Sequence, residues 1–184
     1  GGNSTTIYGF LANALEKRMA STNQPITILC CDNIRSNGRM LQNNFHAYLK
    51  AANRGSLLEW VEENVTFPCS MVDRITPHST PELLSEISGY FGAGEFDPIH
   101  AEEFTQWVLQ DKFAGPMPYL GEVGVEVVCD VDPFEEAKIR ILNGGHTTLA
   151  YLGVLAGYQT FDEVMFDPVL REHFDNFEIS EVLP

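Results

Sequence analysis

The sequence is poor in positive charge. It has 11 lysines and arginines against 26 aspartates and glutamates, which gives a formal net charge of -15 at pH 7. A surface this acidic repels the phosphate backbone of nucleic acids and the headgroups of anionic lipids. The composition therefore argues against nucleic acids and membrane surfaces as partners.

Cysteine is scarce, and its spacing suits neither a disulfide framework nor a metal site. The four cysteines are Cys30, Cys31, Cys69 and Cys129, and they form no C-x-x-C pair and no cysteine–histidine group with zinc spacing. We expect reduced, buried thiols, which are typical of cytoplasmic proteins, and no bound metal.

Long apolar runs are also missing. No run approaches the roughly 18 residues of a membrane-spanning helix, and the segment from Gly1 to Thr6 lacks the basic and apolar parts of a secretory signal. Hydrophobic residues still make up 44% of the 184 residues, enough for a substantial core. The sequence thus predicts a soluble cytoplasmic protein built from one domain or from parts of two.

The first part of the chain indicates an α/β layer. Apolar residues recur at helical spacing over residues 5–19 and predict a helix. The run 26–31 is apolar and β-branched, as in a strand buried on both faces of a parallel sheet. A second helix is predicted for 38–52, and the helix–strand–helix order is typical of α/β folds.

Asp32 and Asn33 directly follow this predicted strand. The carboxyl ends of parallel strands are where α/β proteins bind ligands, so both residues are candidate site residues. The alternative is that they form a turn or cap the following helix. The residues alone leave both interpretations open.

The rest of the chain predicts short elements followed by one long helix. We expect helices at 57–63 and 81–88, extended chain at 65–68 and 70–75, a glycine-rich loop at 91–97, an amphipathic helix at 101–113 and a strand at 123–128. The long helix begins at Asp132-Pro133, a capping residue followed by proline, with Glu135 and Glu136 in its first turn. Gly157 is its expected end, and shorter helices follow.

Three polar residues of this long helix share one side. At about 100° per residue, Asn143 lies roughly 140° and His146 roughly 80° from Lys138. A lysine, an amide and an imidazole on one side of a helix can remove a proton, stabilise an oxyanion and orient a hydroxyl. Gly144 and Gly145 cost the helix about 1 kcal/mol each relative to alanine, which suggests that something approaches the backbone closely there.

The same spacing has a simpler interpretation. A lysine three residues after a glutamate, as in Glu135 and Lys138, usually forms an ordinary surface pair. A lone histidine on a helix is more often structural than catalytic. The spacing alone does not decide between these interpretations.

The segment from Lys138 to His146 closely resembles the K-x4-N-x2-H active-site signature of the polyol-specific long-chain dehydrogenases. That family includes mannitol 2-dehydrogenase, D-arabinitol 4-dehydrogenase, and the fructuronate and tagaturonate reductases. The resemblance covers nearly the whole chain through further motifs in the family's order: Thr6-Ile7-Tyr8-Gly9, Glu16-Lys17-Arg18-Met19, Cys31-Asp32-Asn33 with Asn37-Gly38, Phe67-Pro68, the run from Met71 to Pro77, and Glu135-Glu136-Ala137-Lys138.

The resemblance implies a metal-independent oxidoreductase that uses NAD or NADP to interconvert a small-molecule polyol or sugar acid and its keto form. Lys138 would act as general base. Asn33 and Asn143 would hydrogen-bond the substrate oxygen, and His146 would orient the substrate. Asp73 matches a position near the substrate, although a structural role for Asp73 together with Arg74 is equally open.

The family begins with a dinucleotide-binding unit whose glycine-rich turn holds the pyrophosphate. This sequence has no G-x-G-x-x-G, and its nearest candidate, Gly92-Ala93-Gly94, follows no clear buried strand. We therefore expect an internal fragment of an α/β protein, inactive alone and unable to bind NAD tightly. Residues 1–130 would be the remainder of a Rossmann-like parallel-sheet domain, and residues 131–184 the beginning of a mainly helical substrate-binding domain.

A different class of function is the alternative: a non-catalytic binding module of this family that has lost its nucleotide-binding half. Members of the family are often monomers, and the sequence leaves the assembly state open. It also leaves open the exact substrate and the choice between NAD and NADP.

Overall fold

The computed structural model describes residues 6–92 and 98–183. The chain divides into two compact units, residues 1–129 and residues 130–184, and each is treated by itself below. The glycine-rich loop expected at 91–97 lies largely outside the described residues, as does most of Gly92-Ala93-Gly94.

The first unit alternates helices with short strands. Its elements are α1 (Ile7–Ser21), β1 (Ile26–Thr27), α2 (Asn37–Ala51), α3 (Gly55–Asn64), β2 (Val65–Thr66), β3 (Ser70–Asp73), α4 (Pro81–Phe91), β4 (Gln106–Gln110), a 3-10 turn (Leu120–Val123) and β5 (Glu126–Val128). The predicted helices at 5–19, 38–52, 57–63 and 81–88 are confirmed, each with slightly different ends. The last of them, α4, runs through Gly89 instead of stopping there.

The strands form two small sheets. β1 pairs in parallel with β2, and β4 lies between β3, which is antiparallel to it, and β5, which is parallel. The predicted α/β fold with parallel pairing is therefore confirmed. The strand predicted for 26–31 is much shorter than expected: after Thr27, Ile28 still donates a backbone hydrogen bond to Thr66, but the partner strand then reaches Pro68, which has no N–H for a ladder.

Helices α1, α2 and α3 cover the β1–β2 pair and form the main core of the first unit. This core consists of Ala12, Leu15, Phe45, Leu49, Leu57, Trp60, Val61, Val65 and Phe67. The apolar stripes that predict the helices are the faces that bury this cluster. Not all cysteines are buried as expected: Cys69 is, Cys30 is half-buried, and Cys31 and Cys129 are exposed, and all four are free.

The amphipathic helix predicted for 101–113 is wrong, because this segment contains strand β4. Val108 and Leu109 are both fully buried in the middle of the three-stranded sheet. The partners of β4 lie far away in sequence, with Ser70 opposite Leu109 on one side and Val127 opposite Leu109 on the other. A central strand buried on both faces has no alternating pattern, so a local window mistakes it for a helix.

The second unit is helical throughout its described part. It comprises α5 (Asp132–Ala137), a π-helical turn (Lys138–Asn143), α6 (Gly144–Ala156), α7 (Phe161–Phe166), α8 (Pro168–Phe177) and a second π-helical turn (Glu178–Val182). The first three form one continuous helix that begins one residue before the predicted start, since Val131 is the N-cap. It ends at Gly157, with φ of +91°, as predicted.

The shorter helices α7 and α8 are fixed by their own caps. Thr160 and Glu163 form a reciprocal capping box at the start of α7. Asp167 accepts backbone hydrogen bonds from Val169 and Leu170 at the start of α8, and Tyr158 donates its hydroxyl to the same carboxylate at 2.6 Å. The Tyr158 hydrogen bond, followed by those from the backbone, lowers the pKa of Asp167. These contacts close the turns between α6, α7 and α8.

Candidate active site

A buried amide, Asn37, organises the region after β1. Its side chain is fully buried, and its Nδ2 lies 3.0 Å from the carbonyl oxygen of Asp32 and 2.9 Å from that of Ser70. Its Oδ1 accepts hydrogen bonds from the backbone N–H of Gly38 at 2.8 Å and of Ser70 at 2.9 Å. The hydroxyl of Ser70 in turn donates to the carbonyl of Cys30 at 2.6 Å. Asn37 and Ser70 therefore tie the segment after β1 to the start of β3.

Gly38 lets helix α2 approach the chain between β2 and β3. A Cβ built on Gly38 would lie 2.3 Å from the carbonyl oxygen of Pro68 and 2.6 Å from that of Phe67. These are backbone atoms of buried residues. Only glycine fits at this contact.

Asn33 lies at the centre of a three-residue turn. The N–H of Ile34 donates to the carbonyl oxygen of Asp32 at 2.9 Å, which is the hydrogen bond of a γ-turn. Asp32 and Asn33 are both exposed. Because Ser36 is the N-cap of α2, the alternative that Asp32 or Asn33 caps this helix is wrong.

A cavity of about 390 Å³ opens beside this turn. It is bounded by α1, by the segment that continues β1, and by α2, and most of its lining is apolar. Its polar lining residues include Asp32 and Asn37. The cavity thus lies at the carboxyl end of a parallel strand, where the sequence predicts a ligand site.

Asp73 is the last residue of β3 and is half-buried. Its neighbour Arg74 donates from Nε to the carbonyl oxygen of Glu102 at 2.9 Å, and the carboxylate of Glu102 accepts from the N–H of Ile75 at 2.7 Å. Alternation along β3 places the side chains of Asp73 and Ser70 on opposite faces of the strand. The structure thus shows Arg74 hydrogen-bonded to Glu102.

Lys138 and Asn143 begin and end the first π-helical turn. The turn is closed by the hydrogen bond from the N–H of Gly144 to the carbonyl oxygen of Ile139, five residues back. Such a turn closes an i→i+5 hydrogen bond, so residue i+5 lies closer to residue i around the helix axis than it does in an α-helix. The predicted separation of roughly 140° between Lys138 and Asn143 assumes α-helical geometry, and that assumption is wrong here.

His146 is held in a defined orientation in the following turn. Its Nδ1 lies 3.2 Å from the carbonyl oxygen of Leu142, and its ring lies against that of Phe161 with centroids 4.3 Å apart. Since a carbonyl oxygen only accepts, this contact favours the tautomer with the proton on Nδ1, in which Nε2 is a hydrogen-bond acceptor. The structure orients one nitrogen and leaves acceptor character on the other.

The burial of the residues on this helix is uneven. Lys138 and His146 are half-buried and Asn143 is exposed. Glu135 is only 4% exposed, so the interpretation of Glu135 and Lys138 as a solvated surface pair does not hold. This buried carboxyl group is not among the residues predicted from the sequence; its signal is the i,i+4 spacing from Val131, which is also buried.

The two domains of one family match this chain. The family model described as "Mannitol dehydrogenase Rossmann domain" matches residues 2–121. The family model described as "Mannitol dehydrogenase C-terminal domain" matches residues 130–184. The chain belongs to the mannitol dehydrogenase family. The resemblance found in the sequence motifs is thereby confirmed.

The chain is similar to members of the mannitol dehydrogenase family whose names specify polyols and sugar acids as substrates. It is 40% identical to the polyol:NADP oxidoreductase of Gluconobacter oxydans over 98% of this chain and 37% of that protein. It is 40% identical to D-arabinitol 4-dehydrogenase of Klebsiella pneumoniae, covering all of this chain and 40% of that protein. It is 43% identical to D-mannonate oxidoreductase of Escherichia coli over 89% of this chain and 34% of that protein.

Solved structures of the family share the fold. A D-sorbitol dehydrogenase in substrate-free form superposes with a TM-score of 0.87 at 39% identity, over 98% of this chain and 37% of that one. The Pseudomonas fluorescens mannitol 2-dehydrogenase, solved as a ternary complex with NAD and D-mannitol, gives 0.82 at 37% identity, over 96% and 36%. The chain therefore spans well under half the length of these relatives.

The described parts of this family member lack two kinds of feature. Residues 6–92 and 98–183 contain no group of three or more histidine, cysteine, aspartate or glutamate side chains that could hold a metal ion. Within the same residues, no helix combines the length and the apolar character that a membrane crossing demands.

The two glycines after Asn143 have different neighbours. A Cβ on Gly145 would lie 2.6 Å from Cε2 of Phe174 and 3.0 Å from Oε1 of Glu178, whereas the nearest such atom to a Cβ on Gly144 is 3.5 Å away. The close approach expected from the sequence therefore occurs at Gly145, where helix α8 and the turn after it pack against the long helix.

Replacing Gly145 with alanine is expected to destabilise the protein by about 1–3 kcal/mol, because the ring of Phe174 must move in a packed contact. Replacing Gly144 with alanine has the opposite sign, because the new methyl group meets only ordinary contacts and the helix gains up to about 1 kcal/mol in propensity. Melting temperatures of the two variants test this pair. Equal shifts in the two variants would contradict the packing seen at Gly145.

Proposed function

We propose that the protein is a metal-independent, nicotinamide-dependent oxidoreductase that interconverts a polyol or sugar acid and its keto form. The observation that carries the proposal is the arrangement of the K-x4-N-x2-H segment in a member of this family. A π-helical turn runs from Lys138 to Asn143, and His146 follows with one nitrogen already committed. Single π-turns inside helices occur frequently at functional sites.

The proposed chemistry is the removal of a proton from a secondary hydroxyl group. Lys138 in its neutral form accepts this proton at Nζ, as a general base. The amide of Asn143 donates a hydrogen bond to the oxygen on which negative charge develops. His146 accepts, at Nε2, a hydrogen bond from another substrate hydroxyl and so orients the substrate.

Asn33 and Asp73 keep the roles that the resemblance implies for them. Asn33 is proposed as a second amide donor to the reacting oxygen, since it is exposed on a turn at the carboxyl end of a parallel strand. Asp73 is proposed as a substrate contact. The hydrogen bond of Arg74 to Glu102 supports this role, because it leaves Arg74 engaged elsewhere.

A nicotinamide cofactor, NAD or NADP, supplies the acceptor for the hydride that leaves the carbinol carbon. The cavity beside β1 suits one end of such a molecule: its volume of about 390 Å³ falls within the range of roughly 300–1,000 Å³ for small-ligand pockets. Asp32 adds a polar group to an otherwise apolar lining, as an aromatic ring with a polar substituent requires. Among the relatives, one name specifies NADP and one complex contains NAD.

Assays of the full-length protein with a substrate panel test this function. D-arabinitol, D-mannitol, D-sorbitol and D-mannonate are each offered with NAD and with NADP, with and without a metal chelator. We expect reduction of the cofactor by at least one substrate, at a rate that the chelator does not change. Absence of turnover with every combination would refute the proposal, and loss of activity with the chelator would refute metal independence.

A further inference from the structure

The fully buried Asn37 lies four residues after Asn33, at the start of α2 and directly after the connection that carries Asn33. We propose that Asn37, together with Ser70, is a positioning residue that holds the turn bearing Asn33 in its reactive place. The proposal rests on the proposed function, in which the Asn33 amide donates to the substrate oxygen. Asn37 itself takes no part in the chemistry of substrate or cofactor; it acts through the backbone of the turn.

The hydrogen-bonding capacity of Asn37 is fully used. A carboxamide has two N–H donors and two acceptor lone pairs. Its Nδ2 lies within 3.1 Å of three acceptors, namely the carbonyl oxygens of Asp32 and Ser70 and the hydroxyl oxygen of Ser70. Its Oδ1 accepts from two backbone N–H groups, those of Gly38 and Ser70. A side chain engaged on both ends in a buried site has one orientation, because each lost hydrogen bond leaves an unsatisfied polar group.

These bonds hold the Asn33 turn at two points. The carbonyl oxygen of Asp32 accepts from Asn37 Nδ2 and from the N–H of Ile34, so the turn is anchored at the residue before Asn33. The carbonyl oxygen of Cys30 accepts from the hydroxyl of Ser70 at 2.6 Å. Both anchors use backbone atoms of the segment that carries Asn33. One ends on Asn37 and the other on Ser70, and these two residues are hydrogen-bonded to each other.

The backbone next to Asn37 shows that the arrangement is imposed rather than relaxed. Ser36, directly before Asn37, has φ of +51° and ψ of +45°, the left-handed conformation. For a residue other than glycine this conformation costs about 1–2 kcal/mol, and it persists where the surrounding contacts determine it. The contacts of Asn37 and of Gly38 against Pro68 supply that constraint.

The substitution Asn37→Asp tests whether Asn37 positions the Asn33 turn, because it preserves the shape of the side chain. Asn37→Asp keeps the volume and the two accepted hydrogen bonds, but it replaces two N–H donors with a carboxyl oxygen that carries at most one proton, so at least one of the carbonyl oxygens of Asp32 and Ser70 loses its donor. The turn then loses its anchor and shifts. A misplacement of about 1 Å at a reacting group costs on the order of 100-fold in rate. Ser70→Ala is the milder companion, since it removes the hydroxyl that holds Cys30 and accepts from Asn37, but leaves the backbone partners of Asn37 in place.

The test uses the full-length protein and measures kcat, KM and melting temperature for Asn37→Asp, Ser70→Ala and Asn33→Ala, and for both double variants with Asn33→Ala. Asn43→Asp is the matched control, because it makes the same chemical change at an exposed position of the same helix. We expect kcat to fall roughly 10- to 100-fold in Asn37→Asp and about threefold or more in Ser70→Ala. We expect KM to stay within about threefold, and the control to match the parent protein.

The decisive result is the coupling with Asn33. If Asn37 and Ser70 act through Asn33, neither substitution lowers kcat further once Asn33 is alanine. Equal losses of kcat in the presence and absence of Asn33 overturn the inference while the proposed function stands. If Asn37→Asp does not fold, the cycle of Ser70→Ala with Asn33→Ala distinguishes the same two outcomes. A protein that turns over no polyol or sugar acid at all defeats the proposed function, and the inference with it.

Discussion

Replacing Lys138 with alanine in the full-length protein is expected to lower kcat by about 10²–10⁴-fold, the usual contribution of a general base. The loss should appear in kcat and in kcat/KM alike, because the proton is transferred only in the transition state. Lys138 is half-buried on the helix surface, so the variant should fold with a melting temperature close to that of the parent. Steady-state kinetics with the best substrate of the panel measure the effect.

Arg140→Ala is the matched control for this substitution. Arg140 lies on the same π-helical turn, is exposed, and forms an i,i+4 ion pair with Glu136. Its guanidinium cannot act as a base at neutral pH, and an exposed pair of this kind contributes at most about 0.5 kcal/mol. We expect its kcat to stay within about twofold.

A small primary amine added to the Lys138→Ala protein provides a second readout. If Lys138 supplies a base, an exogenous amine that enters the vacated space restores part of the rate, and the Arg140→Ala protein does not respond. A Lys138→Ala protein that keeps the parent kcat would contradict the base role. Retained ligand binding without any turnover in the parent protein would instead support the non-catalytic binding module.

The sequence proposes the members of the candidate site but does not reveal their local geometry. Spacing and resemblance identify Lys138, Asn143 and His146, and the long helix that carries them follows from its proline and its terminal Gly157. The π-helical turn is not predictable in this way, because the helical periodicity of a sequence cannot reveal one extra residue in a turn. The burial of Glu135 escapes prediction for a related reason: an acidic residue in a first helical turn usually faces solvent.

In the first unit, the sequence does not predict the contacts between segments that lie far apart in the chain. The motifs Asn37-Gly38 and Phe67-Pro68 are far apart in the sequence, and the structure shows that they are in contact. Strand β4 resembles a helix in sequence because both its partners lie more than a local window away, at β3 and β5. Local patterns predict elements well, whereas pairings over long separations depend on packing that a single sequence does not display.

The contact between these two motifs leads to the second large effect: replacing Gly38 with alanine should destabilise the protein by about 3 kcal/mol or more. The added Cβ would lie 2.3 Å from the carbonyl oxygen of Pro68 and 2.6 Å from its carbonyl carbon. Overpacking usually costs about 1–3 kcal/mol where side chains can move, and here the opposing atoms are buried backbone. Urea unfolding followed by tryptophan fluorescence measures the loss, because Trp60 lies in the adjacent core.

Gly55→Ala makes the same chemical change without the clash, since a Cβ at Gly55 has no atom within 4 Å at the start of α3. Its stability should remain within about 1 kcal/mol of the parent. If both variants unfold at the same urea concentration, α2 does not approach Pro68 as closely as the structure has it. The clash at Gly38 also lies next to Asn37, so a folded Gly38→Ala protein should lose kcat together with stability. The coupling of Ser70→Ala with Asn33→Ala, which leaves the contact of Gly38 with Pro68 in place, then separates the positioning of Asn33 from the packing of helix α2.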